Sequence, residues 1–121
     1  MYKGNNSGSR RIVLERKRQI REEGWTHGYD VSEHTPEELE KAAACYLLYP
    51  ELPHIGVSVS LAEPVSESEE APTKIVPYMW PFAAEWWKPG PTRERDLEKA
   101  GALCAAAIDL RMNLAAQANK H

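Results

Sequence analysis

"TRERDLEKAGALCAAAIDLRMNLAAQ", residues 92–117, carries the strongest periodic signal in the chain. Thr92 is a good helix cap, because a short side-chain oxygen accepts from the unpaired amides of a first turn. From about Arg93 to Gln117, Leu97, Ala100, Cys104, Ala107, Ile108, Arg111, Leu114 and Ala115 recur along one helical face, and Leu103 and Leu110 widen it. The spacing therefore predicts one long helix with a core-facing stripe, in a mainly α chain.

Working outward, the same rules predict two more principal helices. "TPEE" places Thr35 as a cap, Pro36 at the first helical position and Glu38 three residues after the cap. Leu39, Ala42, Ala43, Tyr46 and Leu47 follow at helical spacing, and Pro50 and Pro53 end this helix by about Tyr49. Ser9 is read as the cap of a first helix from about Arg10 to Glu23, with Gly24 as its stop. Its apolar stripe is thin, chiefly Ile12, Val13 and Ile20, so it needs packing partners to persist.

Residues 51–79 read differently. Ile55, Val57, Val59 and Leu61 alternate with Gly56, Ser58 and Ser60, which is a strand period. An acidic loop, "VSESEEAP", separates this from "TKIVPYMW", whose Pro77 confines a second strand to an edge. The pattern predicts a β-hairpin, or else an extended insertion on the surface. Pro81 begins a short helical turn through Trp87, and "KPGP" breaks it.

A length of 121 residues suits a single domain, residues 1–121, with a mobile stretch at 1–8. The net charge of −3 excludes a global basic field that would pull the protein onto bulk nucleic acid. Cys45 and Cys104 lie in alanine-rich helical patterns and make no disulfide framework. No apolar run is long enough to span a membrane, and the start carries no apolar signal region, so the expected location is the cytoplasm.

For chemistry, His27 and His34 with Asp30 and Glu33 fit no strong zinc pattern. Glu37, Glu38 and Glu40 could serve a magnesium-dependent nucleotide pyrophosphohydrolase, but the paired E-x-x-E arrangement on two helices is missing. No nucleophile elbow is present. The residues call for no metal and no cofactor. What remains is a binding constellation. Trp25, Tyr29, Trp80, Trp86 and Trp87 offer flat faces; Lys88, Arg93 and Arg95 offer cations; His27, Asp30, His34 and Asp96 offer directed hydrogen bonds. Aromatic faces stack bases and arginine forks grip phosphates. The plainer alternative is a tryptophan-plugged core with Arg93 and Arg95 paired to Glu94 and Asp96.

"ERKRQIREEGWTHGYD", "EELEKAAACY" and "WPFAAEWWKPGPTRERDLEKAGAL" resemble a family of small phage and prophage proteins, over roughly residues 11–49 and 80–110. "GWTHGYD" and "EHTP" more distantly resemble the ryanodine-receptor repeat domain, with His27 in place of its usual tyrosine, Asp30 arriving early and Thr35 inserted before Pro36. Both resemblances imply ligand binding on a small helical domain rather than catalysis. In a phage setting they imply a sponge in the host cytoplasm, holding a cyclic nucleotide or cyclic ADP-ribose-type signal made by a defence enzyme. The alternatives are the magnesium hydrolase and a protein-interaction module anchored by Trp86 and Trp87. The alanine-rich faces of the second and last helices predict a homo-oligomer.

Overall fold

The computed structural model describes residues 7–23, 34–61 and 72–119. Helix α1 is Gly8–Glu23 and helix α2 is Pro36–Leu47. A 3-10 turn, Tyr49–Glu51, leads into the single-turn helix α3, Leu52–Ile55. Strands β1, Gly56–Ser60, and β2, Thr73–Pro77, precede a second 3-10 turn, Ala84–Trp86, and the long helix α4, Arg93–Ala118. The fold is mainly α with one small antiparallel sheet, as the periodicities predict.

Local chemistry accounts for most element boundaries. The Thr35 hydroxyl accepts from the Glu38 amide at 3.2 Å, and the Thr92 hydroxyl accepts from the Arg95 amide at 3.2 Å, so both predicted caps form. For α1 the cap is Ser7, not Ser9: its Oγ accepts from the Arg10 amide at 3.2 Å. The strands pair from Gly56 opposite Pro77 to Ser60 opposite Thr73. In a two-stranded sheet both strands are edges, and Pro77 stands at the last pair of the ladder, where a missing amide interrupts nothing beyond it. The short helical turns at 49–55 went unpredicted, because Pro50 and Pro53 stop α2 yet each sits well at the start of a new turn.

The core lies between α2 and α4. Leu39, Ala42, Ala43, Cys45 and Tyr46 of α2 meet Ala100, Leu103, Ala106, Ala107 and Leu110 of α4, and Val76 and Trp87 close the ends. Small side chains at this seam bring the helices close. Positions 96, 100, 103, 107 and 110 of α4 alternate steps of four and three, and the buried Ala102 and Ala106 widen that row into a broad face. The predicted stripe was therefore rotated. Leu97, Ile108 and Leu114 are 41, 58 and 39% exposed, and Cys104 is exposed, while Asp96 belongs to the buried row. Alanines fill every face of this helix and large aliphatic side chains stand on both the buried and the exposed sides, so apolarity alone could not choose the side.

Helix α1 crosses α4 at Gly101, where a Cβ would stand 2.6 Å from Ile12 Cδ1. Glycine is what lets the helices touch there. Because the apolar stripe of α1 is thin, ion pairs complete the contact: Arg95 to Glu15 at 2.6 Å, Arg16 to Asp109 at 3.5 Å, and Arg11 to Glu98. Among the described residues no helix is long and apolar enough to cross a membrane.

Trp87 is the largest fully buried side chain, at 1% exposure, and its ring packs on Tyr46, Trp80 and Tyr49. Trp87→Ala is expected to lower unfolding free energy by about 3–5 kcal/mol, from lost burial plus a cavity. Urea denaturation with an unchanged m-value checks this.

Candidate functional site

The "WPFAAEWWKPGPTRERD" segment, residues 80–96, divides its aromatic and charged residues between core and surface. The indole N–H of Trp80 donates to the Ala83 carbonyl at 3.0 Å, which folds the chain back on itself after Pro81. Trp86 ends the 3-10 turn and Trp87 is extended, so these neighbours face opposite sides. Trp87 enters the core, whereas Trp86 stays 53% exposed with the Lys88 ammonium 5.2 Å from its ring centroid.

Trp86 forms one rim of a cleft of about 420 Å³. Trp80, Phe82 and Ala83 continue that wall, and Tyr46 of α2 and Leu103 of α4 form its apolar base. Edge-to-face contacts fix the wall: Trp80 lies 5.5 Å from Phe82, Phe82 lies 5.1 Å from His34, and Trp80 lies 5.8 Å from Tyr46. Across the cleft stand Glu15, Arg18 and Gln19 of α1, with Arg95 and Lys99 of α4 and Lys88 between them.

The charged wall is ordered around one carboxylate. Glu15 is buried and accepts a two-pronged contact from Arg18, Nε at 2.8 Å and Nη2 at 2.7 Å. Arg95 approaches its other side at 2.6 Å. Burial alone would raise the Glu15 carboxyl, but hydrogen bonds from Arg18 and Arg95 outweigh it and hold it below its ordinary value. Gln19 Nε2 donates to Glu15 Oε2 at 3.1 Å. A carboxylate only accepts, so that bond sets the amide's orientation and leaves Gln19 Oε1 buried with no hydrogen bond.

Lys99 donates to the Lys88 carbonyl oxygen and lies 5.6 Å from the Tyr46 ring centroid. Burial, with Arg95 nearby, pushes its ammonium below the usual lysine value. Neither Lys88 nor Lys99 has a carboxylate within ion-pair distance among the described residues. The arrangement suits a flat anion, with ammonium groups held beside the aromatic faces of Trp86 and Tyr46.

Of the residues predicted for binding, His34, Trp80, Trp86, Lys88 and Arg95 line the cleft. Trp25, His27, Tyr29 and Asp30 lie outside the described residues. Three predictions are corrected. Trp87 is a core residue, because its ring is enclosed by the core cluster and packs on Tyr46, Tyr49 and Trp80. Arg93 faces the end of α2, donating to the carbonyls of Tyr46 at 2.9 Å and Leu47 at 2.7 Å. A cation is favoured there by the negative end of that helix. Asp96 is buried and accepts from the Gly90 amide at 2.7 Å, which ties the "KPGP" turn to α4.

Glu15, Arg18, Gln19 and Lys99 were missed as site residues. A signal existed: Glu15, Arg18 and Gln19 share one face of α1, where an amphipathic helix would show apolar residues. The helix-two glutamates are engaged locally, Glu40 with Arg111 at 2.6 Å and Glu38 at the cap beside His34. Among the described residues no three His, Cys, Asp or Glu side chains converge as metal ligands. Cys45 is buried and its thiol is pushed up to about 11 by that burial, so it is no nucleophile at neutral pH.

No family model, curated protein or solved structure matches this chain.

Two outcomes follow from this geometry. Arg93→Gln is expected to destabilise the fold by about 1–3 kcal/mol, since two charge-assisted contacts to carbonyls disappear; chemical denaturation measures it, and ligand affinity should stay within about twofold because the side chain is outside the cleft. Glu15 gives the fold a pH dependence. Its folded carboxyl lies below the ordinary 4.5, so its stabilisation is complete above that value and is lost as pH falls through the lower folded one. Denaturation curves from pH 6 to pH 3 should show a decline that Glu15→Gln flattens.

Proposed function

We propose that the chain binds a nucleotide-derived small molecule in the cleft and holds it unchanged, acting by sequestration. The observation that carries this reading is the meeting of a half-exposed indole, Trp86, with two ammonium groups, Lys88 and Lys99, that make no ion pair among the described residues. A base stacks on an aromatic face in any orientation, and an anionic group finds the cations beside it. The cleft size is within the range of small-molecule sites, about 300–1,000 Å³. The two arginines on its wall are braced by carboxylates, which favours a preorganised site over a mobile one.

The resemblance to small phage proteins gives this binding a purpose. A phage-encoded chain of this kind lowers the free concentration of a messenger that a host defence enzyme makes. A sequestering protein works by stoichiometry, so it needs affinity and abundance but no turnover. Incubating the protein with a panel of nucleotides and cyclic nucleotides, then denaturing it and weighing what is released, tests the reading directly. Recovery of intact ligand in molar proportion supports it; recovery of hydrolysed products, or of nothing, defeats it.

Trp86→Ala is expected to weaken nucleotide binding by about 1–3 kcal/mol, the usual worth of one base stacked on an aromatic ring. The melting temperature should stay near that of the parent, because the lost ring is half exposed and supports only Lys88. Titration calorimetry beside a melting curve separates the two effects.

A further inference from the structure

We infer that the cleft is matched to a nucleotide of low charge, a phosphate monoester or a cyclic phosphodiester, and selects against a triphosphate, with Lys99 and Lys88 reading the phosphate. This rests on the nucleotide-binding reading above and narrows it.

The inference comes from following each cation to its partner. Arg18 contacts Glu15 and, at 3.1 Å, Glu22. Arg95 contacts Glu15 at 2.6 Å and Glu98 at 3.1 Å. Both guanidinium groups are therefore balanced by the protein's own carboxylates before any ligand arrives. Lys99 and Lys88 are different: neither makes an ion pair among the described residues, and Glu15 and Asp96 act on Lys99 only from beyond contact distance. Lys99 makes a neutral contact to the Lys88 carbonyl and lies near the Tyr46 ring; the exposed Lys88 ammonium rests over Trp86. A cation over an exposed ring is held weakly, and a charge-assisted bond to phosphate is stronger. When a base takes the Trp86 face, Lys88 can swing to a phosphate beside Lys99, since Lys99 already touches the Lys88 backbone.

Two ammonium groups without an ion pair among the described residues match roughly one to two negative charges, the range of a phosphodiester or a phosphate monoester. A triphosphate adds charge that must lie near Glu15, Glu22 and Glu98, whose partners are already in place. Like charges disfavour it there. Lys99 is half-buried, so its charge is screened less by salt than that of a surface lysine.

The test is equilibrium titration of the purified chain in EDTA with one base at a time, presented as nucleoside, 5′-monophosphate, 3′,5′-cyclic monophosphate, cyclic dinucleotide and 5′-triphosphate. Calorimetry and tryptophan fluorescence report binding. At least one monoester or cyclic diester should bind tenfold or more tighter than its nucleoside, and the triphosphate should bind no tighter than the monophosphate. Lys99→Met should remove that tenfold gain while leaving nucleoside affinity unchanged, and Lys88→Met, at an exposed position, should remove part of it without altering the melt. A triphosphate that binds tenfold tighter than the monophosphate, or a nucleoside that binds as tightly as its phosphates, overturns the charge-matching inference and leaves the nucleotide reading standing. Failure of every nucleoside and nucleotide to bind overturns both.

Discussion

A carboxylate buried between two helices constrains most of this structure. Glu15 sits where α1 meets α4, and removing its charge from water costs several kcal/mol unless cations and donors surround it. Arg18 comes from the next turn of α1, Arg95 from the first turn of α4, and Gln19 adds an amide N–H. Satisfying Glu15 therefore fixes α1 against the start of α4. It also aligns the polar wall of the cleft, because those same residues line it. A helix with too few apolar residues to pack in the ordinary way is held instead by charge, and the cleft is a consequence of how it is held.

This explains which parts of the fold were legible. The caps of α2 and α4, the breaking prolines and the strand alternation are local signals, and each acts on its own few residues. The packing register of α4 is not local. Leu97, Cys104 and Ile108 are as apolar as the residues that are buried, and the choice between faces depends on where α2 offers Leu39, Ala42 and Tyr46. Asp96 made the error harder to avoid. A carboxylate reads as a surface residue, yet here it is buried because the Gly90 amide, in a turn stripped of other partners by two prolines, donates to it. The buried polar row of α1 is hard to read for the same reason: charged residues at helical spacing look like a solvated face until a partner helix supplies the opposite charges.

The candidate site was legible as a composition and not as a geometry. Tryptophans beside lysine and arginine drew the reading to residues 80–96, and five of the proposed positions, His34 among them, line the cleft. What the sequence could not assign was which cation serves the fold and which is left over. Arg93 and Arg95 are two residues apart at the head of one helix, so they point in different directions. Arg93 reaches the exposed carbonyls at the end of α2, and Arg95 reaches Glu15. Lys99, one turn further on, drew no notice in the sequence because a lone lysine in a helix is ordinary. It becomes distinctive only when the structure shows it half-buried and without an ion pair among the described residues.

The crowding of tryptophan next to charge then has a mechanical reason. Trp86 and Trp87 are adjacent, and the chain leaves its 3-10 turn between them, so one ring must face inward when the other faces outward. Trp87 is locked by Tyr46, Trp80 and Tyr49, and Tyr46 in turn accepts a hydrogen bond from the Lys88 amide at 3.3 Å. The outward ring and the lysine after it are therefore held at the cleft rim by a neighbour that is immobile in the core. An exposed aromatic face is costly to keep rigid on a loop, because a loop has few contacts with which to oppose its own entropy. Placing it one residue from the best-buried side chain in the protein solves that problem. The Lys88 backbone, held through its amide, also offers the carbonyl that receives Lys99, so the outward ring and both ammonium groups lie beside a single anchor.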